Sequence, residues 1–318
     1  TGGPAYYIEE LFNKGVLAKV LAVFFSLSCI LALGFMGNGV QANSIGEAVQ
    51  NAFNISPYVT GAVVALLGGF VFFGGLKRIA SFTEKVVPVM AGLYILICIV
   101  IIVINHANIL TAFESIFVNA FSTKSILGGF LGMGVKKAIR YGVARGLFSN
   151  EAGMGSTPHA HAIAKVKNPV EQGNVALITV FIDTFIVLTL TALVILTANV
   201  GNGTLTGITL TQKSFEAALG YSGNIFIAVA LFFFAFSTII GWYFFGEANI
   251  KYLFGKKAIN IYRIIVLVCI VIGTTQKVDM VWELADLFNG FMVIPNLIAL
   301  LLLSNRVVNV SRKYKMLD

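Results

Sequence analysis

Eight runs of predominantly apolar residues, 17 to 26 residues long, divide this chain and decide what it can become. They are Val16–Gln41, Tyr58–Leu76, Val86–Ile104, Ile126–Val143, Val175–Asn199, Ile225–Phe245, Ala258–Thr274 and Met280–Leu303. Crossing the roughly 30 Å hydrocarbon layer takes about 20 such residues in a helix. The expectation is therefore an all-α polytopic membrane protein with about eight transmembrane helices in one domain, residues 1–318. The composition agrees, with 58% apolar and 11% charged residues and a mean hydropathy of +0.89. Soluble domains carry about 25% charged residues. The fourth run fits least well, because it holds Lys136, Lys137 and Arg140. Its first half, Gly128 to Gly134, is the kind of glycine run expected where a membrane helix is broken.

The net charge of +8 is not a nucleic-acid footprint, because the basic residues fall in short clusters between apolar runs. That is the pattern of cytoplasmic loops. With the N-terminus inside and eight crossings, 19 of the 22 Lys and Arg residues lie inside and three, Lys124, Lys213 and Lys277, outside. This predicts a multi-pass protein of the cell membrane with both ends of the chain cytoplasmic. Residues 1–15 and 144–174 are then cytoplasmic loops, and 200–223 is an extracellular one, with a short surface helix over Ser214–Leu219. Cys29, Cys98 and Cys269 all sit inside apolar runs and read as small buried hydrophobes. The chain opens Thr1-Gly2-Gly3-Pro4 and reads as the interior of a longer protein.

Few polar groups interrupt the apolar runs, and each is a candidate for function. Phe234, Ser237 and Thr238 fall at i, i+3 and i+4, so one carbonyl and two hydroxyls share a helix face. Three neutral oxygens there form part of a shell for a hard monovalent cation, or else each hydroxyl bonds back to its own helix. Trp242, one turn on, walls a small pocket or sits as an ordinary interfacial aromatic. Asn38, Gln41 and Ser44, with Asn43 alongside, make a polar stripe on the first run. Such amides glue helices together, or hydrogen-bond a substrate's amino or carboxylate group. Asp183 lies about nine residues into the fifth run, where an ionisable group is costly and reads as functional or paired, with cation binding, proton relay and a hydrogen bond to a neighbouring broken helix all open. His159 and His161 with Glu151 do not make a zinc site, because the His-Glu-x-x-His spacing is absent. No catalytic triad, phosphate loop or dinucleotide fingerprint occurs.

The longest polar stretch runs from Gly142 to Ala162. Its close-set glycines argue against a stable helix, at about 1 kcal/mol each relative to Ala. Arg145 and Glu151 are thus expected in a backbone free to bend. The segment Gly-Val-Ala-Arg-Gly-Leu-Phe-Ser-Asn-Glu-Ala-Gly-Met-Gly-Ser, followed by Pro158 and His159-Ala-His161, closely resembles the signature of the alanine or glycine:cation symporter family. Gly2-Gly3-Pro4-Ala5-Tyr6-Tyr7-Ile8, Ile182-Asp183-Thr184-Phe185 and Ile294-Pro295-Asn296-Leu297 fit the same family.

The resemblance implies the five-plus-five inverted repeat of LeuT-like transporters, of the APC superfamily type, lacking its N-terminal helices. The chain would hold the last three helices of the first repeat and all five of the second. It also implies an unwound helix around Gly128, Gly129 and Gly132, whose backbone binds substrate with Gln41, Asn43 and Trp242. By the same resemblance Phe234, Ser237 and Thr238 bind sodium, Arg145, Glu151 and Asp183 serve gating or coupling, and the 200–223 loop acts as a lid. The implied function is sodium-coupled symport of alanine or glycine by a monomer. Serine, glutamine and proton coupling stay open. A channel would need a continuous polar line through several runs, and an enzyme an acid–base or metal set.

Overall fold

The computed structural model describes residues 2–11, 15–121, 132–200 and 205–314. The main helices are α1 (Pro4–Leu11), α2 (Val16–Phe53), α3 (Pro57–Phe72), α4 (Leu76–Ile104) and α5 (Ile109–Phe121). After them come α6 (Gly132–Asn150), α7 (Pro158–His161), α8 (Pro169–Ala198), α9 (Gly207–Leu219), α10 (Tyr221–Phe254), α11 (Ile259–Gly273) and α12 (Val278–Lys313). Two long helices widen into π-helix, α2 over Ile30–Gly37 and α8 over Ile182–Val187. Such bulges insert a residue into the helical ladder and concentrate at functional sites.

Among the described residues, five helices are long and apolar enough to cross a membrane: α2, α4 from Glu84, α8, α10 and α12 from Asp279. This is a polytopic membrane protein. α3 is apolar but shorter, at 16 residues, and α11 has 15. Seven of the eight apolar runs thus fall on helices, and several helices overrun them. α2 continues past Gln41 to Phe53 because its C-terminal part still buries Ala42, Ile45, Ala48 and Ala52.

The fourth run departs most from expectation. Gly128 and Gly129 lie outside the described residues, and Gly132 is the first residue of α6. α6 does not end at Val143; it carries the signature as regular helix through Asn150. Gly142 and Gly146 are ordinary helix positions with open space where a Cβ would stand. Their cost of about 1 kcal/mol each is offset by the contacts of Arg145 and Phe148 described below. Arg145 therefore sits on a helix, not in a flexible loop. The other expected loops also carry helices: α1 within 1–15, α7 within 144–174, and α9 within 200–223, which starts earlier than the short helix expected over Ser214–Leu219.

α10 is the central post, in contact with α2, α3, α4, α9 and α11. Glycines let the backbones close up. A Cβ on Gly273 of α11 would stand 2.7 Å from the Gly39 Cα of α2. One apolar cluster, including Ile239, Tyr243, Phe72, Tyr262 and Ile45, joins α10 to α2, α3 and α11. Another, including Phe25, Leu33, Phe148, Met154, Trp242, Ala285 and Met292, joins α1, α2, α10 and α12 around the end of α6.

Candidate functional site

The second cluster surrounds a helix break. The amide of Glu151 makes a last helical bond to the Leu147 carbonyl at 3.0 Å, and the chain then turns. Glu151 is left-handed, with φ of 56°, and Gly153 and Gly155 follow with φ of 86° each. A non-glycine residue in that region costs on the order of 1–2 kcal/mol, and the next two positive-φ positions are glycines, which adopt it freely. Asn150 Oδ1 accepts from the Ala152 amide at 2.9 Å and fixes the first turn. A Cβ on Gly155 would stand 2.8 Å from Asn296 Cγ and 2.9 Å from Phe25, so the backbone passes there only because no side chain is present. Met154 and Ser156 are wholly buried, so this is an interior break and not a surface loop.

Side chains from four directions tie the break down. The Glu151 carboxylate accepts from the Trp242 indole N–H of α10 and from the Ser156 hydroxyl. A carboxylate offers two acceptors and no donor, which suits two donors facing it. Trp242 is held on its other side by Gly37, the last residue of the π segment of α2, where a Cβ would meet the ring at 2.6 Å. Phe148 presses edge-on to Trp242, with centroids 5.1 Å apart, and packs on Trp282 of α12 at 4.7 Å.

One turn back, Arg145 makes a two-pronged ion pair with Asp286 of α12, at 2.6 and 3.2 Å, and lies 3.9 Å over the Trp282 ring. Such paired contacts fix geometry as well as charge. Past the break, Asn296 of α12 donates to the Gly153 carbonyl at 2.8 Å and accepts from the Tyr7 hydroxyl of α1. His159 is buried; its Nδ1–H donates to the Ser156 carbonyl at 2.8 Å, leaving Nε2 to accept from Asn249 at 2.9 Å. Asp183, in the π segment of α8, accepts from Ser149 at 2.9 Å, so α8 is also joined to the end of α6.

Two cavities flank this hub. One of about 590 Å³ opens beside Arg140, Ala144, Glu283 and Asp286, where α6 leads in. The other, of about 280 Å³, is lined by Gly2, Tyr6, His159, Ile163, Glu247 and Lys251, where α7 leads away.

Of the residues singled out in the sequence, Arg145, Glu151, Asp183 and Trp242 meet around the break. Ser237 and Thr238 donate to the same Phe234 carbonyl, at 2.8 and 3.0 Å, which gathers three oxygens on one face of α10 one turn before Trp242. This is also the geometry of ordinary back-bonding within a helix. Asn43 donates to the Gly273 and Gln276 carbonyls at 3.0 and 2.9 Å, closing the end of α11, so only its oxygen is left for a ligand. Asn38 donates to the Gly34 carbonyl at 3.1 Å and Ser44 to Val40 at 3.1 Å. Gln41 is half-buried on α2. Asp286 and Asn289 were not among the residues singled out, and Asn296 stood out only within the Ile294-Pro295-Asn296-Leu297 match, with no role attached. Their signal was a polar stripe at helical spacing in the last apolar run, hidden because each residue is isolated in sequence.

The model of the sodium:alanine symporter family matches residues 1–317 of this chain. The chain is 41% identical over 317 residues to the amino-acid carrier protein AlsT of Bacillus subtilis, covering 98% of this chain and 66% of that protein. It is 41% identical over 317 residues to the sodium/alanine symporter AgcS of Methanococcus maripaludis, covering 98% and 69%. It is 42% identical over 315 residues to a probable sodium/glutamine symporter, GlnT, of Bacillus subtilis, covering 98% and 64%. The chain thus spans about two thirds of the length of these relatives.

Proposed function

The chain belongs to the sodium:alanine symporter family, a family of transporters and not of enzymes, and from that membership we propose that it forms most of a sodium-coupled importer of a small neutral amino acid, alanine or glycine. The observation that carries the reading is the interior break at Glu151–Ser156. Unwound backbone in a membrane protein leaves N–H and C=O groups that only a ligand site or a wet cavity satisfies. A small zwitterion matches such a site, with N–H groups meeting its carboxylate and carbonyls its ammonium group.

In this reading the break does what the sequence suggested for Gly128, Gly129 and Gly132, within a LeuT-like five-plus-five repeat. Trp242 and Gln41 wall the pocket, with the Asn43 oxygen further out. Phe234, Ser237 and Thr238 supply oxygens to sodium one turn from Trp242. Arg145, Glu151 and Asp183 hold the end of α6 against α12, α10 and α8, and their contacts exchange as access passes between the two flanking cavities. The protein works as a monomer in the cell membrane, with both ends of this chain cytoplasmic. Sodium in the site offsets the substrate carboxylate, so each ligand tightens the other. Each charge carried inward gains about 2.3 kcal/mol per 100 mV.

The test is uptake of labelled alanine by proteoliposomes holding the full-length protein, with and without a sodium gradient, in competition with glycine, serine and glutamine. Saturable, sodium-driven uptake is expected. Uptake driven equally by a proton gradient alone would overturn the coupling assignment. Ser237→Ala and Thr238→Ala are expected to raise the sodium concentration for half-maximal uptake severalfold at unchanged protein level. Unchanged sodium dependence in both would remove the three oxygens from the ion site.

A further inference from the structure

We propose that Asn289 of α12 contacts the amino-acid substrate directly, its amide spanning the zwitterion at the helix break. The argument starts from helix geometry. Residues seven apart differ by only about 20° around an α-helix, so Trp282, Asn289 and Asn296 form one stripe. Both ends of that stripe are anchored on the signature. Trp282 packs on Phe148 at 4.7 Å, and Asn296 donates to the Gly153 carbonyl at 2.8 Å. Asn289, midway, is therefore aimed at the chain between Phe148 and Gly153, where α6 ends and Glu151 turns left-handed.

Asn289 is 6% exposed, and neither its Oδ1 nor its Nδ2 has a hydrogen-bond partner among the described residues. Its stripe-mate Asn296, at 1% exposure, has both atoms paired. Folded proteins pair nearly all buried polar groups, because leaving one unpaired forfeits its hydration for nothing. Asn289 leaves both halves of an amide unpaired in the wall of the break. An amide presents a donor and an acceptor side by side, which is the complement of an α-amino acid: Nδ2 donates to the carboxylate and Oδ1 accepts from the ammonium. Leucine, with the same branched skeleton of heavy atoms, would sit there with no polar group to satisfy, as Ala285 and Met292 do on neighbouring positions.

The inference rests on the amino-acid reading above, and its test separates the two. Asn289→Leu in the full-length transporter is compared with wild type for alanine uptake and for thermal unfolding without substrate. The expected result is a KM for alanine raised about tenfold or more, with half-maximal sodium little changed and substrate-free stability equal or higher. A ligand-binding amide trades stability for affinity, whereas a structural one does not. An unchanged KM overturns the proposal whatever the stability does. If the Leu variant is not produced, Asn289→Ser is read by the same KM criterion. A wild-type protein that takes up no amino acid would overturn the functional reading instead, and that is seen before any variant is measured.

Discussion

His159 shows how much one side chain is asked to hold at the break. Its two nitrogens are committed in opposite senses, Nδ1–H to the Ser156 carbonyl and Nε2 to the Asn249 amide. Phe25 and Phe245 lie along its faces, with centroids 6.2 and 5.6 Å away. The ring is 3% exposed, so removing it strands both partners. His159→Leu deletes the two hydrogen bonds and leaves the Ser156 carbonyl and the Asn249 amide each short of a partner, at about 1–3 kcal/mol for a buried group left unpaired. The variant is expected to lower the unfolding midpoint of the full-length protein in detergent. His159→Gln, which keeps a donor and an acceptor, is expected to lower it less. Equal midpoints for wild type and His159→Leu would show that the ring does not hold the break.

At the scale of an element, α6 and its break show what the sequence could and could not tell. The long helices were legible because apolar length is nearly a sufficient condition for them in a membrane. The composition of Gly142–Gly155 was legible as special, and Arg145, Glu151 and Trp242 stood out as candidates, but not the contacts that join Glu151 to Trp242 and Arg145 to Asp286. The boundary between helix and break was not, because glycine weakens helices and also permits positive φ, and the sequence does not say which use applies. Gly142 and Gly146 are tolerated in a helix that Arg145–Asp286 and Phe148–Trp282 hold in place, while Gly153 and Gly155 are required by the turn. The π segments were hidden for a similar reason, since nothing in Ile30–Gly37 differs in composition from ordinary helix. Opposite responses to one substitution test this division. Gly142→Ala is expected to stabilise the protein by about 0.5–1 kcal/mol, through helix propensity with open space at the Cβ. Gly155→Ala is expected to destabilise by more than that, since φ is 86° and the Cβ would strike Asn296 and Phe25. Unfolding midpoints of the two variants in detergent decide the matter. A destabilising Gly142→Ala, or a neutral Gly155→Ala, would mean that the helix and the break are misassigned.

For the whole molecule the question is which way the chain is threaded. A buried break places Glu151 beside Trp242, the 22nd residue of the 34-residue α10. In the reading proposed above, α6 approaches the break from one side of the membrane and α7 leaves toward the other. With the N-terminus inside, as we propose, Lys136, Lys137, Arg140 and Arg145 move to the outer side of the break. The split of cationic residues becomes fifteen inside against seven outside, instead of 19 against three. The bias keeps its sign but is weaker, and Arg145 is in any case neutralised by Asp286. Orientation signals count residues close to the ends of crossing helices, so Lys251, Lys256 and Lys257 at the end of α10 and Arg306, Arg312 and Lys313 at the end of α12 carry most of it. Single cysteines placed in a full-length protein freed of its native cysteines test the threading with a membrane-impermeant maleimide. Lys213→Cys, exposed on α9, is expected to react in intact cells. Lys165→Cys, exposed between α7 and α8, is expected to react only after permeabilisation. The deciding site is Lys136→Cys, exposed in the first turns of α6. Labelling from outside is expected there, because α6 must start outside if Glu151 and its break lie within the membrane. Labelling only from inside would put the whole signature on the cytoplasmic face, and the proposed substrate site, with Asn289 behind it, would have to be sought elsewhere.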